Sequence, residues 1–182
     1  MYLPLMPHYS IEITEKQSSL IVDRTWLEEV IRYVLDGEHI ETARISMVCV
    51  DDPEIHRLNR DFLGHDFPTD VISFLLNDPS DPQLSGHCGL DDGEDHSDRR
   101  EAAVDGERFE LDGELIVSTE TAIREAAVHG WSPAAELVLY VVHGLLHLCG
   151  YDDLTDDSRP VMRQREREVL AVWGLCPTGL EQ

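Results

Sequence analysis

The chain has 182 residues, of which 42% are apolar and 28% charged, so we expect one domain, spanning 1–182, with a single core. No apolar run approaches the roughly 18 to 20 residues that a membrane helix needs, which excludes a membrane-spanning protein. The first ten residues hold two prolines and no basic residue, unlike a secretory signal, and we therefore expect a cytoplasmic protein. No CxxC pair occurs among the cysteines, which predicts four reduced thiols: Cys49, Cys88, Cys149 and Cys176.

The chain is strongly acidic, with 37 acidic against 14 basic residues and a formal charge of −23. Because lysine and arginine carry non-specific binding to polyanions, this charge argues against such binding and against a DNA partner. Any nucleic acid must therefore be bound by a few basic residues at the place of contact. All basic residues except Lys16 are arginines, whose guanidinium suits bidentate contacts to phosphate.

The first part of the chain alternates strand and helix patterns. In chain order these predict a strand over 9–14, a helix over 18–35, a strand over 43–50 and a helix over 53–62. Gly37 and Gly64 follow the two helices as stop signals. Asp51 or Asp52 precedes Pro53, the combination of cap and first-turn proline that is typical of a helix start.

Residues 69–76 form a nearly continuous apolar run of strand length, which predicts an interior strand covered on both faces. The next segment, 78–110, is different: it holds eleven acids, three arginines, scattered Gly and Pro, and almost no periodic apolar residue. This composition is typical of a disordered insertion.

The second half contains one strand and three helices, predicted over 113–118, 119–128, 133–149 and 157–173. Ser132 and Pro133 are typical of a helix start and Gly150 of a stop. The helix over 133–149 is apolar almost all round, so we place it at the centre of the fold. The predicted class is α+β, with a mixed sheet of about four strands packed with helices.

That central helix carries His143 and His147, one turn apart. Residues four apart on a helix lie about 5 to 6 Å from each other at Cβ, so both imidazoles can reach one ion. An HxxxH pair alone is better explained by two unrelated core or surface histidines. Polar side chains in so apolar a helix need partners, however, and a metal supplies one to both.

Two glycines and two aspartates strengthen the metal interpretation. Gly144, between the histidines, predicts a close approach to the helix backbone, since glycine costs about 1 kcal/mol there relative to alanine. Gly150 lets the chain turn back and bring a carboxylate to the ion. Asp152 and Asp153 follow at once. Three protein ligands with a fourth position for water is the arrangement of catalytic zinc.

The segment HGLLHLCGYDD, residues 143–153, resembles the motif H-G-x-x-H-L-x-G-Y-D-H of the YbeY family of metal-dependent endoribonucleases. Residues 58–74 are similar to the family's L-N-x-x-Y-R-x-K-x-x-P-T-D-V-L-S-F, and residues 113–118 to its G-D-[IL]-[VI]-I-[SC] strand. The similarity spans most of residues 45–175 apart from the acidic insertion.

The resemblance implies a zincin-like fold with a central metal-bearing helix and one Zn²⁺ per chain. It implies a single-strand-specific endoribonuclease in late maturation of the 16S rRNA 3′ end and in ribosome quality control. The implied partner is ribosomal RNA presented by the small ribosomal subunit, with ribosomal proteins as further partners. The metal ligands it implies are His143, His147 and, where the family has histidine, Asp153.

Other departures concern the contact to RNA. Leu63 stands where the family has an arginine and His65 where it has a lysine, so Arg60, or else Arg124, is our candidate for meeting the phosphate charge. Asp152 is the candidate for orienting a ligand or moving a proton, although a carboxylate beside a helix end is as often a cap.

Two other functions were weighed. The zinc peptidase signature HExxH needs a glutamate where this chain has Gly144, which disfavours a peptidase. The competing interpretation is a ribosome-associated assembly or binding protein that keeps the metal but has lost cleavage together with the arginine at position 63.

Overall fold

Four strands form one mixed sheet in the computed structural model of this chain, which describes residues 7–77 and 110–176. The strands are β1 (His8–Glu15), β2 (Thr42–Val50), β3 (Val71–Leu75) and β4 (Leu111–Ser118). Their order in the sheet is β1, β2, β4, β3. Strands β1, β2 and β4 run parallel, and β3 pairs antiparallel to β4.

Five helices accompany the sheet in the described residues: α1 (Arg24–Gly37), α2 (Asp52–Leu63), α3 (Thr119–His129), α4 (Pro133–Leu148) and α5 (Ser158–Ala171). The predicted α+β class with a mixed four-stranded sheet is confirmed. None of the described helices is long and apolar enough to cross a membrane. The predicted insertion, 78–110, lies outside the described residues except for Glu110, which follows the gap.

The predicted start of α1 was wrong. The helix begins at Arg24, and the side chain of Asp23 caps it by accepting from the backbone N–H of Trp26. Upstream, the Gln17 side chain bonds both the N–H and the carbonyl of Leu20, which fixes a turn instead of a helix. Leu20 still packs against the core, so its apolar character reflects burial rather than helical periodicity.

The prediction that residues 69–76 form an interior strand was also wrong in one respect. Strand β3 lies at the edge of the sheet. It is apolar throughout because both of its faces are used: Val71 and Leu75 pack on the main core, whereas Ile72 and Phe74 join a smaller cluster with α2. A continuous apolar run therefore indicated two covered faces, but not an interior position.

Helix α4 lies at the centre of the fold, as its composition predicts. It packs against β3 and β4 on one side and against α1, α3 and α5 on the others. From Ala135 onward it is buried except along one stripe. That stripe consists of Leu139, His143 and His147, which are four residues apart. The two histidines therefore lie along the one edge of this buried helix that is partly exposed.

Gly144 faces the sheet and not the histidine edge. A Cβ atom added there would lie 2.8 Å from Leu115 Cδ2 and 3.1 Å from Val71 Cγ2. The close approach predicted for this glycine is thus confirmed, but it is made by β3 and β4. The glycine lets α4 lie close to the sheet, and it gives no independent support for a metal.

We expect Gly144→Ala to destabilise the fold by about 1 kcal/mol. Overpacking a buried site costs about 1 to 3 kcal/mol, whereas alanine gains about 1 kcal/mol in helix propensity. Urea unfolding of the two proteins measures the difference. A double-mutant cycle with Leu115→Val should show a smaller cost of the alanine in the shortened background. A more stable Gly144→Ala protein would contradict this account of the packing.

Candidate metal centre

The imidazoles of His143 and His147 face each other across one turn of α4. Their rings are nearly perpendicular, with centroids 4.6 Å apart, and their Nε2 atoms are 3.1 Å apart. Both side chains are partly buried. The two histidines predicted as ligands therefore direct the same nitrogen toward the same point.

The opposite nitrogens are held by hydrogen bonds. Nδ1 of His143 donates to Glu166 Oε1 at 2.7 Å, and Nδ1 of His147 donates to the carbonyl of Tyr151 at 3.0 Å. A carbonyl oxygen and a carboxylate accept hydrogen bonds, so each Nδ1 carries the proton in the neutral ring. This leaves an unprotonated Nε2 on each histidine, the form in which imidazole binds a metal.

At 3.1 Å the two Nε2 atoms can share a proton or, when both rings are neutral with the proton on Nδ1, bind one cation between them. A tetrahedral ion bound about 2.0 Å from each imidazole nitrogen separates the two nitrogens by about 3.3 Å. The observed spacing is close to that value. The spacing of the two Nε2 atoms thus fits the binding of a single transition-metal ion by both histidines.

Asp153 completes the group that the sequence predicts. Its Oδ1 lies 3.8 Å from Nε2 of His147, and the potential ligand atoms of His143, His147 and Asp153 all lie within 4.8 Å of one another. Gly150, at φ 92°, turns the chain at the end of α4 and makes this return possible. Two nitrogens and a carboxylate oxygen are a donor set that zinc accepts.

Glu166 also changes the basicity of His143. Burial lowers the pKa of His143, but the hydrogen bond and negative charge of Glu166 outweigh burial, so that the pKa lies above its ordinary value. A carboxylate behind a histidine ligand raises its basicity toward a metal in the same way and fixes its orientation. Glu166 is itself buried, with 3% of its surface exposed, which is unusual for a carboxylate without such a partner.

Sequence reasoning did not select Glu166. The signal was present, however. Glu166 lies on the stripe of α5 that also carries Met162, Val169 and Leu170, all buried. A charged residue in register with an apolar stripe needs a buried partner, and here that partner is His143.

His147 is supported from further away. Tyr151, whose carbonyl holds His147, donates its hydroxyl to Glu38 Oε2 at 3.1 Å. The other oxygen of Glu38 accepts from Arg165 Nε at 2.6 Å. Since Arg165 and Glu166 are neighbours on α5, this helix supports both imidazoles, one directly and one through Glu38 and Tyr151.

A small cavity of about 140 Å³ opens beside His143. Its charged lining consists of three carboxylates and one guanidinium: Asp70, Asp153, Glu166 and Arg163. His143 and the largely buried Tyr140 also line it. Asp70 stands immediately before β3, and sequence reasoning did not select it. The excess of negative charge favours a divalent cation in this cavity.

The remaining predicted residues lie outside the described lining of this cavity. Asp152 accepts from the backbone N–H of Leu154 and from the hydroxyl of Ser158, both at 3.2 Å, and so holds the loop that carries Asp153. Arg60 is half-exposed on α2 and pairs with Asp61, and Arg124 pairs with Asp52 at 2.7 Å. The catalytic roles of Asp152 and Arg60 stay predictions.

Comparison with known proteins identifies relatives over nearly the whole chain. The sequence model of a family described as endoribonuclease YbeY matches residues 11–174. A relative of that name from Halalkalibacterium halodurans is 37% identical over 163 residues, covering 90% of each chain. Another from Chloroflexus aurantiacus is 36% identical over 169 residues, covering 92% of this chain and 97% of the relative.

A solved structure shares the fold. The solution structure of the Thermotoga maritima protein TM1509 matches with a TM-score of 0.51 and 25% sequence identity, covering 90% of this chain and 89% of that one. The match of the family model and the curated relatives extends over strands, helices and the histidine motif together. The chain therefore belongs to the endoribonuclease YbeY family.

Proposed function

We propose that this protein is a metal-dependent endoribonuclease that holds one zinc ion with His143, His147 and Asp153. The observation that carries the proposal is the pair of Nε2 atoms 3.1 Å apart, on two imidazoles whose Nδ1 atoms are each engaged in a hydrogen bond to a carboxylate or carbonyl oxygen. Membership of a family of endoribonucleases supports RNA as the substrate.

Different residues of the chain bind the ion, orient its ligands and contact RNA in the proposed site. His143, His147 and Asp153 hold the ion, while Glu166 and Tyr151 orient the imidazoles. When bound, zinc polarises a phosphoryl oxygen and activates water for attack on phosphorus. Arg60 remains our candidate for contacting RNA outside the cavity, because it is half-exposed and does not line it.

Asp152 is assigned a positioning role. Both of its carboxylate oxygens accept hydrogen bonds within residues 152–158. These contacts fix the loop beyond Gly150 and so set where the neighbouring Asp153 carboxylate lies. This assignment favours the ligand-orienting role over the proton-moving role that we also considered for Asp152.

The charge of the chain limits how RNA reaches the site. With a formal charge of −23, the protein gains little from general attraction to a polyanion. We therefore propose that the substrate is single-stranded ribosomal RNA presented by the small ribosomal subunit, near the 3′ end of 16S rRNA, with ribosomal proteins as contacts. Action in late maturation and quality control, in the cytoplasm, belongs to the same proposal.

Metal analysis tests the centre directly. Protein purified without chelators should contain one zinc per chain, and His147→Ala should lose it, because one imidazole and one carboxylate bind zinc far more weakly than three ligands. His56→Ala is the matched control, since His56 is exposed and bonded to Asp66. Metal-free wild-type protein that takes up no added zinc, or full zinc content in His147→Ala, would contradict the proposal.

The outer contacts should also affect metal affinity. We expect Tyr151→Phe to weaken zinc binding by up to about tenfold, the lower end of outer-contact effects, because it frees the residue whose carbonyl orients His147. Competition with a chromophoric chelator measures the affinity. Glu28→Gln removes the exposed ion pair with Arg32 and should leave the affinity unchanged. Equal affinities of Tyr151→Phe and the wild type would show that Glu38 and Tyr151 do not position His147.

RNA cleavage distinguishes the enzyme from the competing assembly protein. The zinc-loaded wild type should cleave a single-stranded RNA oligonucleotide, and His147→Ala should not. Leu63 is 47% exposed on α2, so Leu63→Arg should fold normally. No cleavage by the wild type together with a large gain in Leu63→Arg would identify a protein that has lost its activity. Robust wild-type cleavage that Leu63→Arg does not change would support the enzyme.

A further inference from the structure

Cleavage of RNA requires a positive group for the phosphate besides the metal, because negative charge develops on the phosphoryl oxygens during the reaction. In this chain that group must be local, since the overall charge is strongly negative. An arginine is best suited, because its planar guanidinium matches the geometry of two phosphate oxygens.

Only Arg163, among the described residues that line the cavity beside the histidines, carries a guanidinium. It lies on α5 three residues before Glu166, on the side of the helix that faces His143 and Asp153. Its own side chain is partly buried. The same small cavity therefore brings together an arginine and two of the three proposed metal ligands.

The neighbouring arginines of α5, Arg159 and Arg165, do not line this cavity. Arg159, one turn earlier, donates to the carbonyl of Asp153 at 3.0 Å and to Asp156 at 3.1 Å. Arg165 donates to Glu38. These contacts hold the loop after α4 and the support of His147, respectively.

The arginines predicted from sequence are less well placed. Arg60 pairs with Asp61 and Arg124 with Asp52, and neither lines the cavity. Both lie on other helices, α2 and α3. Arg163 instead lines the cavity that two of the proposed metal ligands, His143 and Asp153, also line.

Size and charge of the cavity define what it can accept. Its volume of about 140 Å³ corresponds to about four or five water molecules, which is enough for a phosphate group. Three carboxylates line it, so an anion is repelled until a divalent cation is bound. With the cation present, its two positive charges and that of Arg163 balance the three carboxylates, so the cavity no longer repels an anionic group.

We propose that Arg163 contacts the scissile phosphate of the RNA in the metal-loaded protein, and so acts as a catalytic residue. The inference rests on the proposed endoribonuclease function. Because the contact is to phosphate and not to a base, it is independent of RNA sequence.

The test compares Arg163→Gln and Arg163→Lys with the wild type, all loaded with zinc. Arg167→Gln is the matched control, because Arg167 is exposed on the same helix and does not line the cavity. We expect kcat/KM for an RNA oligonucleotide to fall about 10²-fold or more in Arg163→Gln, with a smaller loss in Arg163→Lys. Zinc content should remain one per chain.

A binding measurement gives a second readout that does not depend on turnover. Fluorescence anisotropy with a 2′-O-methylated oligonucleotide, checked by electrophoresis to stay intact during the measurement, gives the affinity at several salt concentrations. Arg163→Gln should weaken binding and reduce the salt slope by about one. The reduction should be the same for oligonucleotides of different sequence.

The outcomes separate this inference from the proposed function. If the wild type cleaves RNA and Arg163→Gln cleaves and binds equally well, Arg163 is not the phosphate contact, and the endoribonuclease proposal stands. If the wild type does not cleave but Arg163→Gln loses binding, the phosphate contact stands and the endoribonuclease proposal fails. Should Arg163→Gln unfold or lose zinc, Arg163→Lys decides: unchanged kcat/KM and salt slope in that folded variant overturn the inference.

Discussion

The structure depends on how two imidazoles are oriented at the edge of a buried helix. Nε2 atoms of His143 and His147 lie 3.1 Å apart because hydrogen bonds to Glu166 and Tyr151 occupy the other nitrogens. The packing of α4 against five other elements holds this arrangement in place, so the geometry of a metal site is built into the core.

Helix α5 has a larger part in this site than its polar sequence indicates. Glu166 contacts His143 directly, and Arg165 reaches His147 through Glu38 and Tyr151. Arg163 of the same helix lines the adjoining cavity. One helix thus provides orientation of both histidines and a positive group next to them. This arrangement suits an acidic protein, because its few positive side chains can assist a reaction only when they lie beside the reacting groups.

Much of the fold was predictable from local patterns. Alternation and helical periodicity gave the strands and helices with errors mainly at their ends, since apolar spacing and capping residues such as Ser132 act locally. The start of α1 was misplaced because Leu20 is buried in a turn. The edge position of β3 was missed because its apolar residues pack against two different neighbours, α4 on one face and α2 on the other. Periodicity reports burial, but it does not identify the partner.

The sequence by itself determined the candidate ligands, because His143, His147 and Asp153 lie within eleven consecutive residues, on a helix and just past its glycine stop. Only the tertiary structure decided what surrounds them. Glu38, Asp70 and the α5 pair Arg163 and Glu166 come from three distant parts of the chain, and no local spacing links them to the histidines. Their role follows from packing of α1, β3 and α5 around α4, a long-range interaction that residue patterns do not encode.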